Sequence, residues 1–237
     1  MAKCTVIIPC YNEETRLDQA AFESFMTRHP AISFLFVNDG SSDATGDILR
    51  SLCADRANAH YLELDRNSGK AEAVRAGMLH AAADPDSGDF IGFWDADLST
   101  SLDEIPVFLE YATPGTLMIS GCRLRRLGGE IERTLLRHLL GRCFATAVSN
   151  YLNLPVYDTQ CGAKLYGRNE LREIIASPFV TRWLFDVEIL KRLLNRYGRE
   201  EVLKRCQEVI LRKWRDVGGS KLKFFRVLKD FIKLIRS

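Results

Sequence analysis

Two aspartates stand directly after a short apolar run and could hold a metal ion. Phe90–Trp94 is rich in aromatic residues and follows turn-forming residues, so it predicts a buried strand, and Asp95 and Asp97 come next. Carboxylates this close together repel unless a cation lies between them, and hard oxygen ligands suit Mg²⁺ or Mn²⁺, which also bind phosphate oxygens. The same residues also fit a solvated turn that leads into a helix capped by Ser99 or Ser101. The rest of the chain has to distinguish these interpretations.

The strand that carries the aspartates is one of four that alternate with helical segments. The predicted strands are Cys4–Ile8, Ile32–Val37, His60–Leu64 and Phe90–Trp94. Helices are predicted between them, over about 15–28, 43–57 and 71–83. This alternation favours an α/β fold, a Rossmann-like, mostly parallel sheet flanked by helices on both faces.

Each predicted strand ends in a cluster of polar residues. The clusters are Tyr11–Glu13, Asn38–Gly40, Asp65–Lys70 and Asp95–Ser99. Ligands in parallel sheets bind beyond the carboxyl ends of the strands, so four clusters at one edge predict a ligand site more strongly than any one of them does. Independent solvated loops are the alternative.

The second half of the chain is less regular. It predicts a strand at Thr116–Ser120, a helix at Ile131–Leu152 in which Gly141 is a candidate break, and a late strand at Glu208–Trp214. Between the last two, a polar loop leads into a short strand, and a helix runs to about Tyr197. We predict one domain over residues 1–218 and a basic segment over 219–237.

Length, composition and charge limit the class of protein. With 237 residues and 46% hydrophobic content, the chain is large enough for one α/β domain with a sizeable core. The net charge of +2 is small, but from Arg212 onward the many basic residues face only Asp216 and Asp230. This imbalance indicates an anionic partner. Nucleic acid is disfavoured because the charge is local and no recognition motif accompanies it.

The cysteines and the apolar runs bear on localisation. Seven cysteines without a C-x-x-C pair favour a reduced, cytoplasmic protein. No signal peptide is visible, and no apolar run has the length of a transmembrane helix. We therefore expect any contact with a membrane to be peripheral.

The order of the motifs resembles a known family. Four segments resemble the nucleotide-sugar half of inverting GT-A glycosyltransferases of family 2. They are Ile7–Glu14, Val37–Asp43, Asn67–Lys70 and Asp95–Asp97. Three later segments resemble the dolichyl-phosphate (polyprenyl-phosphate) glucosyl- and mannosyltransferases. They are Asp158–Leu165, Arg182–Glu188 and Gly219–Leu222. The resemblance spans essentially the whole chain.

Two positions depart from the family pattern. Asn38 stands where the family often has aspartate, and because asparagine keeps the hydrogen bonding, we expect donor binding to survive the loss of charge. Ala163 stands where the family usually has phenylalanine. The smaller side chain shortens an apolar contact and leaves the shape of the acceptor site open.

The resemblance implies an enzyme that transfers a hexose from a nucleotide sugar to a polyprenyl or dolichyl phosphate, with inversion, at the cytoplasmic face of a membrane. UDP-glucose is the first expectation for the donor and GDP-mannose the second. The implied cofactor is Mg²⁺ or Mn²⁺, held by Asp95, Asp97 and Ser99. The implied donor contacts are Pro9, Tyr11, Glu13, Asp39, Lys70 and Asp95.

Transfer from a nucleoside diphosphate requires that the charge on the leaving diphosphate be neutralised. A divalent ion on Asp97 would act as a Lewis acid there. Arg123 follows a predicted strand end and is a candidate phosphate clamp, unless it forms a surface salt bridge. Lys70 begins a helix, where anions are favoured. Alternatively, Asn67–Gly69 is only a helix cap and Lys70 faces solvent.

The acceptor decides which further residues are needed. A lipid phosphate is already ionised and needs cations rather than a base. Lys164 and Arg182 are the main candidates for this contact and for catalysis, and Arg123 and Arg142 are weaker ones.

A saccharide hydroxyl acceptor would instead need a catalytic carboxylate. Asp158, Asp186 and Glu188 are available for that role, although Asp186 could equally cap the helix that follows it. An interpretation from another class is a non-catalytic scaffold that binds a nucleotide sugar, and the intact Asp95 and Asp97 argue against it.

The C-terminal segment predicts an amphipathic helix over Ser220–Arg236, with aromatic and aliphatic residues on one face and basic residues on another. This pattern is typical of a helix that lies in a membrane interface. The alternative is a helix that packs on its own domain or on a second subunit, such as a homodimer or membrane-protein partner.

Overall fold

A computed structural model describes residues 3–132, 135–217 and 224–236. Strands and helices alternate along the first half, as the sequence predicts. The elements are β1 (Cys4–Cys10), α1 (Gln19–Arg28), β2 (Ile32–Asn38), α2 (Thr45–Cys53), β3 (Ala59–Glu63), α3 (Lys70–Ala83) and β4 (Phe90–Trp94). Helix α1 begins later than predicted because the amides of Arg16 and Leu17 first form a turn by donating to the carbonyl of Glu13.

The second half adds ten shorter and longer elements within the described residues. They are α4 (Glu104–Glu110), β5 (Met118–Cys122), β6 (Glu130–Glu132), α5 (Leu135–Leu152), β7 (Ala163–Gly167), α6 (Arg168–Ile174), α7 (Phe185–Arg205), β8 (Cys206–Ile210), β9 (Lys213–Arg215) and α8 (Phe224–Arg236). Three predictions are wrong in detail. Helix α5 is continuous through Gly141, the late strand is divided into β8 and β9, and α7 extends past Tyr197 with a kink at Gly198 (φ 78°).

The main sheet has seven strands in the order β3-β2-β1-β4-β7-β5-β8. Only β7 runs antiparallel to its neighbours β4 and β5 among these strands. The carboxyl ends of the six parallel strands therefore share one edge with the amino end of β7, where Ala163 pairs with Trp94. A second sheet joins β6 and β9 in parallel.

Both faces of the main sheet are covered, as is typical of parallel sheets. Successive residues of a strand enter different cores: Ile8 and Trp94 pack on the face that includes Phe22 of α1, and their neighbours Ile7 and Phe93 pack on the opposite face. Burying a side chain of this size contributes about 1.5–3 kcal/mol. This two-sided burial fixes the strand positions and so the edge at which the polar clusters meet.

The described part of α8 packs against α5 and α7. Leu234 is fully buried, and its carbonyl accepts hydrogen bonds from Tyr151 Oη (3.0 Å) and Lys191 Nζ (2.9 Å). The ring of Phe231 lies edge-on to that of Tyr151, with 5.6 Å between centroids. Packing on its own domain therefore accounts for one face of this helix.

The other face of α8 includes Ile232 and Ile235, which stay exposed. The predicted boundary between residues 218 and 219 and the segment Gly219–Leu222 lie outside the described residues. In the described part of the chain, no helix is both long and apolar enough to cross a membrane.

Candidate active site

The loops after β1 and β2 are joined at the carboxyl edge of the sheet. The amide of Asn12 donates to Ser41 Oγ (3.0 Å), and the amide of Ser42 donates to Asn12 Oδ1 (2.9 Å). Asn12 has φ 52°, a left-handed conformation that asparagine tolerates better than most residues. Glu13 is held in the same place, because its amide donates to Thr45 Oγ1 (2.8 Å). The structure thus brings the predicted polar clusters together.

Asp39 anchors the loop that leads into α3. Its carboxylate accepts hydrogen bonds from the amides of Ser68 (2.7 Å) and Gly69 (2.8 Å) and from Asn67 Nδ2 (3.1 Å). Burial raises the pKa of Asp39, and the two amides offset this only in part. These hydrogen bonds engage both carboxylate oxygens of Asp39. The contact between Asp39 and the donor stays a prediction.

Asp95 is held between α3 and β7. Lys70 forms an ion pair with Asp95 Oδ1, so the alternative in which Lys70 only faces solvent is wrong. The amide of Asp95 donates to the carbonyl of Gly162 (3.0 Å). A Cβ atom at position 162 would overlap the Asp95 carboxylate, so only glycine fits beside it.

Asp97 lies in a strained turn. Its Oδ1 accepts a hydrogen bond from the amide of Ser99 (3.0 Å), and Leu98 between them has φ 51°, which is costly for a residue with a large side chain. Asp103 rather than Ser99 or Ser101 is the cap residue of α4, although Ser101 Oγ accepts a hydrogen bond from the Asp103 amide (3.2 Å) in the turn that leads into this helix. The metal-binding interpretation of Asp95 and Asp97 therefore stays a prediction.

Arg16 is a residue of the site that the sequence analysis missed. Its guanidinium lies 3.3 Å from Asp97 Oδ2 and 3.4 Å from Glu13 Oε2. The only local signal was its spacing of three residues from Glu13, which is too common to predict a pairing with a residue on another strand. Arg16 therefore joins the loop after β1 to the one after β4.

The site offers few protein ligands to a metal. Within residues 3–132, 135–217 and 224–236, no group of three or more His, Cys, Asp and Glu side chains is arranged to hold an ion. Asp95 and Asp97 remain as carboxylate donors, each paired with one cation, Lys70 or Arg16. Mg²⁺ is commonly held by one or two carboxylates together with substrate phosphates. The donor set thus fits an ion that arrives with a diphosphate rather than a preformed cage.

Arg123 does not stand free as a phosphate clamp. Its Nε and Nη2 donate to the two oxygens of Asp158 (2.6 and 2.7 Å), and both side chains are nearly buried. Burial alone would raise the pKa of Asp158, but the charge and hydrogen bonds of Arg123 outweigh it and lower the pKa to about 2. The predicted salt bridge is therefore present, but it is buried rather than on the surface.

Lys164 was predicted to contact a lipid phosphate, but its side chain is buried. It is 1% exposed, and its Nζ contacts Asp186 Oδ1 (2.8 Å) and the carbonyls of Thr159 (3.2 Å) and Cys161 (2.6 Å). At this burial the ammonium group does not reach solvent and its contacts lie within the protein, so it is not open to a lipid phosphate. Asp186 lies inside α7 rather than at its cap, and burial raises its pKa.

Two other predicted cations lie nearer to solvent. Arg182 is exposed and donates to the carbonyl of Ser68 (3.3 Å), next to the loop that presents Lys70. Arg142 donates to the carbonyl of Tyr157 (2.8 Å) and stacks on its ring. A small solvent-open cleft of about 50 Å³ lies here, and its lining includes Arg123, His138, Arg142, Tyr157, Asp158 and Gln160. His138 was not among the site residues predicted from the sequence.

The three candidate bases for a hydroxyl acceptor are all ion-paired. Asp158 pairs with Arg123 and Asp186 with Lys164, as described above. Glu188 pairs with Arg192 (2.8 Å) and accepts hydrogen bonds from the amides at 180 and 181, which shapes the turn before Arg182. None of the three is positioned as an open general base.

A mostly parallel sheet with an acidic pair at a strand end and the antiparallel β7 beside it matches the GT-A fold. Residues 5–175 match the family Glycosyl transferase family 2, and the chain belongs to this family. It is accordingly a hexosyltransferase that uses a nucleotide sugar.

Individual relatives agree. A dolichyl-phosphate beta-glucosyltransferase of Trichomonas vaginalis is 31% identical, over 98% of this chain and 69% of the relative. The dolichyl-phosphate beta-glucosyltransferase of Drosophila melanogaster is 33% identical, over 92% of this chain and 68% of the relative. These matches confirm the family resemblance that the sequence motifs indicated.

A solved structure shares the fold. Glucosyl-3-phosphoglycerate synthase from Mycobacterium tuberculosis, in complex with Mn²⁺, UDP-glucose and phosphoglyceric acid, superposes with a TM-score of 0.69. The match covers 99% of this chain and 80% of that one, at 17% identity. At this identity the likeness concerns the fold alone.

Proposed function

We propose that this chain transfers glucose from UDP-glucose to dolichyl phosphate or a related polyprenyl phosphate, with inversion at the anomeric carbon. The similarity to the dolichyl-phosphate beta-glucosyltransferases of Trichomonas vaginalis and Drosophila melanogaster supports this donor sugar and this acceptor. GDP-mannose is the second candidate donor.

The observation that carries the proposal is the ion pairing of the three carboxylates that were predicted as candidate bases for a hydroxyl acceptor. Asp158, Asp186 and Glu188 each lie against a cation. Deprotonation of a sugar hydroxyl needs a base within reach, whereas a phosphate monoester is already a nucleophile at neutral pH. An acceptor that carries its own negative charge suits this site best.

The donor side would work by charge neutralisation. Asp97, with Asp95, would hold Mg²⁺ or Mn²⁺ together with the diphosphate, and the ion when bound supplies Lewis-acid stabilisation of the leaving group. Lys70 lies at the start of α3, where its ammonium and the helix amides favour an anion. Arg16 keeps Asp97 near the end of β1, which carries the proposed donor contact Pro9, and near the loop after it, which carries Tyr11 and Glu13.

The acceptor phosphate would approach between Arg182 and the cleft that contains Arg142. Arg182 is exposed and lies beside the loop that presents Lys70, so its charge faces the donor side. Arg142 lies on the wall of the cleft formed by α5 and the loop before β7. Ser99 contributes its amide to Asp97, and its proposed role toward the metal is limited to shaping that turn.

The lipid requires a membrane surface, and two helices carry exposed apolar side chains that we propose for contact with it. Leu139 and Leu140 of α5 and Ile232 and Ile235 of α8 are all more than 40% exposed. Lys229 and Lys233 are exposed on α8 as well, which suits anionic headgroups. We place this surface against a bilayer, on the cytoplasmic face, where the free thiols of all seven cysteines are expected to persist.

The surface is tested with Ile232→Ser combined with Ile235→Ser in sedimentation with anionic liposomes at low salt. The partition coefficient onto the liposomes should fall by about 100-fold or more, because each of the two replaced side chains would contribute about 1.5–3 kcal/mol on transfer from water into the bilayer. Leu203→Ser is the matched control, since Leu203 is 41% exposed on α7. Equal binding of the double variant and the native protein would show that α8 is not part of the membrane-binding surface.

The function is tested by a transfer assay with purified protein, Mn²⁺ or Mg²⁺, a polyprenyl phosphate, and UDP-glucose, GDP-mannose or UDP-N-acetylglucosamine in parallel. Lipid-linked glucose from UDP-glucose is the expected product. Binding of UDP-glucose without lipid product, but with transfer to a saccharide, would overturn the acceptor assignment and leave the donor assignment standing.

A further inference from the structure

The ion pair of Lys164 and Asp186 is the most deeply buried pair of opposite charges among the described residues. The two side chains are 1% and 7% exposed. Replacing such a pair with apolar residues often costs nothing, so burial of two charges is weak support for a role in stability alone. Its geometry points to another role.

Lys164 closes the loop that precedes its own strand. Its Nζ donates to the carbonyls of Thr159 and Cys161, so three residues of the chain fold back over one ammonium group. Asp186 of α7 holds that ammonium from the other side at 2.8 Å. The buried ammonium group of Lys164 therefore holds the loop from Thr159 to Gly162 in place, and we call this arrangement the clamp.

The clamped loop ends against the acidic pair. Gly162 follows Cys161 directly, accepts a hydrogen bond from the Asp95 amide (3.0 Å), and leaves no space between its Cα and the Asp95 carboxylate. On the other side, Lys70 pairs with the same carboxylate. Both ammonium groups lie over Phe93, with Nζ 5.6 Å (Lys70) and 5.5 Å (Lys164) from the ring centroid.

We propose that Lys164 and Asp186 are positioning residues for Asp95. They hold the loop from Thr159 to Gly162 in the position in which Gly162 contacts one side of the Asp95 carboxylate. The proposal rests on the proposed function for the role of Asp95 toward the donor. It replaces the direct contact between Lys164 and a lipid phosphate that the sequence suggested. The loop position itself does not depend on any substrate.

The first arm of the test therefore uses no substrate. Cys161 is completely buried under the clamp, so its alkylation by N-ethylmaleimide, mapped by mass spectrometry, reports whether the loop has lifted. In Lys164→Met the labelling rate of Cys161 should rise at least tenfold. Cys4 of β1 is 1% exposed and serves as the internal reference, because global unfolding would expose both thiols together.

The second arm separates turnover from acceptor binding. Lys164→Met should lower kcat by about 100-fold, the scale expected when a reacting group is misplaced by about 1 Å. The KM for polyprenyl phosphate should stay within about twofold, since the proposed acceptor cations are elsewhere. Asp186→Asn keeps both carbonyl contacts of Lys164, so its effects on labelling and on kcat should have the same direction and be smaller.

Arg205→Met is the matched control. Arg205 pairs with Glu170 (3.0 Å) at the far end of the sheet, so its loss should lower the melting temperature without changing Cys161 labelling or kcat. Unchanged labelling of Cys161 in Lys164→Met, with Cys4 protected, would overturn the proposal. A large rise in the acceptor KM with unchanged kcat would also overturn it, in favour of direct phosphate contact. If the native enzyme forms no lipid product, the proposed function fails, and the labelling arm still decides the loop assignment.

Discussion

The two halves of the active-site edge use charge in different ways. On the donor side, Lys70 and Asp95 are each 32% exposed, and Arg16 and Asp97 are 30% and 21% exposed. On the other side, Arg123 and Asp158 are 11% and 10% exposed, and Lys164 and Asp186 are 1% and 7% exposed. The ion pairs on the donor side are partly exposed to solvent, and we call them open pairs. Those on the side that includes β5 and β7 are nearly or fully buried, and we call them closed pairs.

This difference decides which charges can meet a ligand. Two partly solvated charges attract weakly, about 1 kcal/mol at 4 Å in water, so a metal or a phosphate can replace one partner at little cost. A closed pair loses much more when one partner leaves, because the other charge stays buried. We therefore assign ligand binding to the open pairs and loop shape to the closed ones.

The strongest test of the open pairs is Asp97→Ala. Removal of this carboxylate should lower kcat by about 1,000-fold or more, since it takes away the proposed metal ligand that neutralises the leaving diphosphate. Steady-state rates over a Mn²⁺ titration measure this. Asp103→Ala is the control, because Asp103 is 68% exposed and pairs only loosely with Arg28. Retained metal-dependent turnover in Asp97→Ala would break the metal assignment.

The strongest test of the closed pairs is Asp158→Asn. Arg123 would stay buried without its counter-charge, so the free energy of unfolding should fall by about 3–5 kcal/mol at pH 7. Since the pKa of Asp158 is lowered from 3.8 to about 2 in the folded state, its stabilisation is present above about pH 4 and is lost as the pH falls toward 2.

Chemical denaturation at pH 7 and pH 3 checks both statements for Asp158→Asn. The difference from the native protein should shrink at the lower pH. Glu173→Gln serves as the control, because Glu173 and Arg196 are 60% and 57% exposed and their pair should contribute almost nothing. A loss no larger than that of Glu173→Gln would show that the pair is not closed in solution.

A smaller effect is expected for Arg182→Ala. Because this side chain is exposed, the fold should be unaffected, while the KM for polyprenyl phosphate should rise about tenfold through loss of one charged hydrogen bond. Arg172→Ala, at an exposed position of α6, is the matched control. A rise in the UDP-glucose KM alone would move Arg182 to the donor side.

The smallest effect is expected for Asn38→Asp, which restores the residue that the family often has. Asn38 Nδ2 donates to Glu63 Oε1 (2.7 Å), so a carboxylate at 38 would face a second carboxylate. We expect a loss of about 1–2 kcal/mol at pH 8 and less at pH 5. The like charge raises the folded-state pKa, so stability is retained at low pH and lost as the pH rises.

Denaturation of Asn38→Asp at the two pH values measures this effect. Glu63→Gln in the same protein should restore the stability, and the KM for UDP-glucose should not change in either variant. No recovery in the double variant would show that Glu63 is not the partner that makes asparagine suitable at this position.

Much of the donor side could be predicted because its information is local. Each of the first four strands is an apolar run that ends in polar residues, and parallel strands must end at one edge, so the meeting of Tyr11–Glu13, Asn38–Gly40 and Asp95–Asp97 follows from order alone. The choice of partners does not follow in this way. Arg16 and Asp97 are 81 positions apart, and no local pattern joins them.

Short segments of the chain were enough to predict the parallel half of the sheet, the acidic pair at the end of β4 and the need for cations near it, since hydrophobic periodicity and strand-end polarity are local properties. Which cations can reach a ligand depends instead on how the chain packs. The antiparallel β7 between β4 and β5 brings Gly162 against Asp95 and turns Lys164 into the interior. A charge that is buried against Asp186 cannot meet a substrate, whereas the same charge type at Arg182 can, and that difference is a matter of packing rather than of residue type.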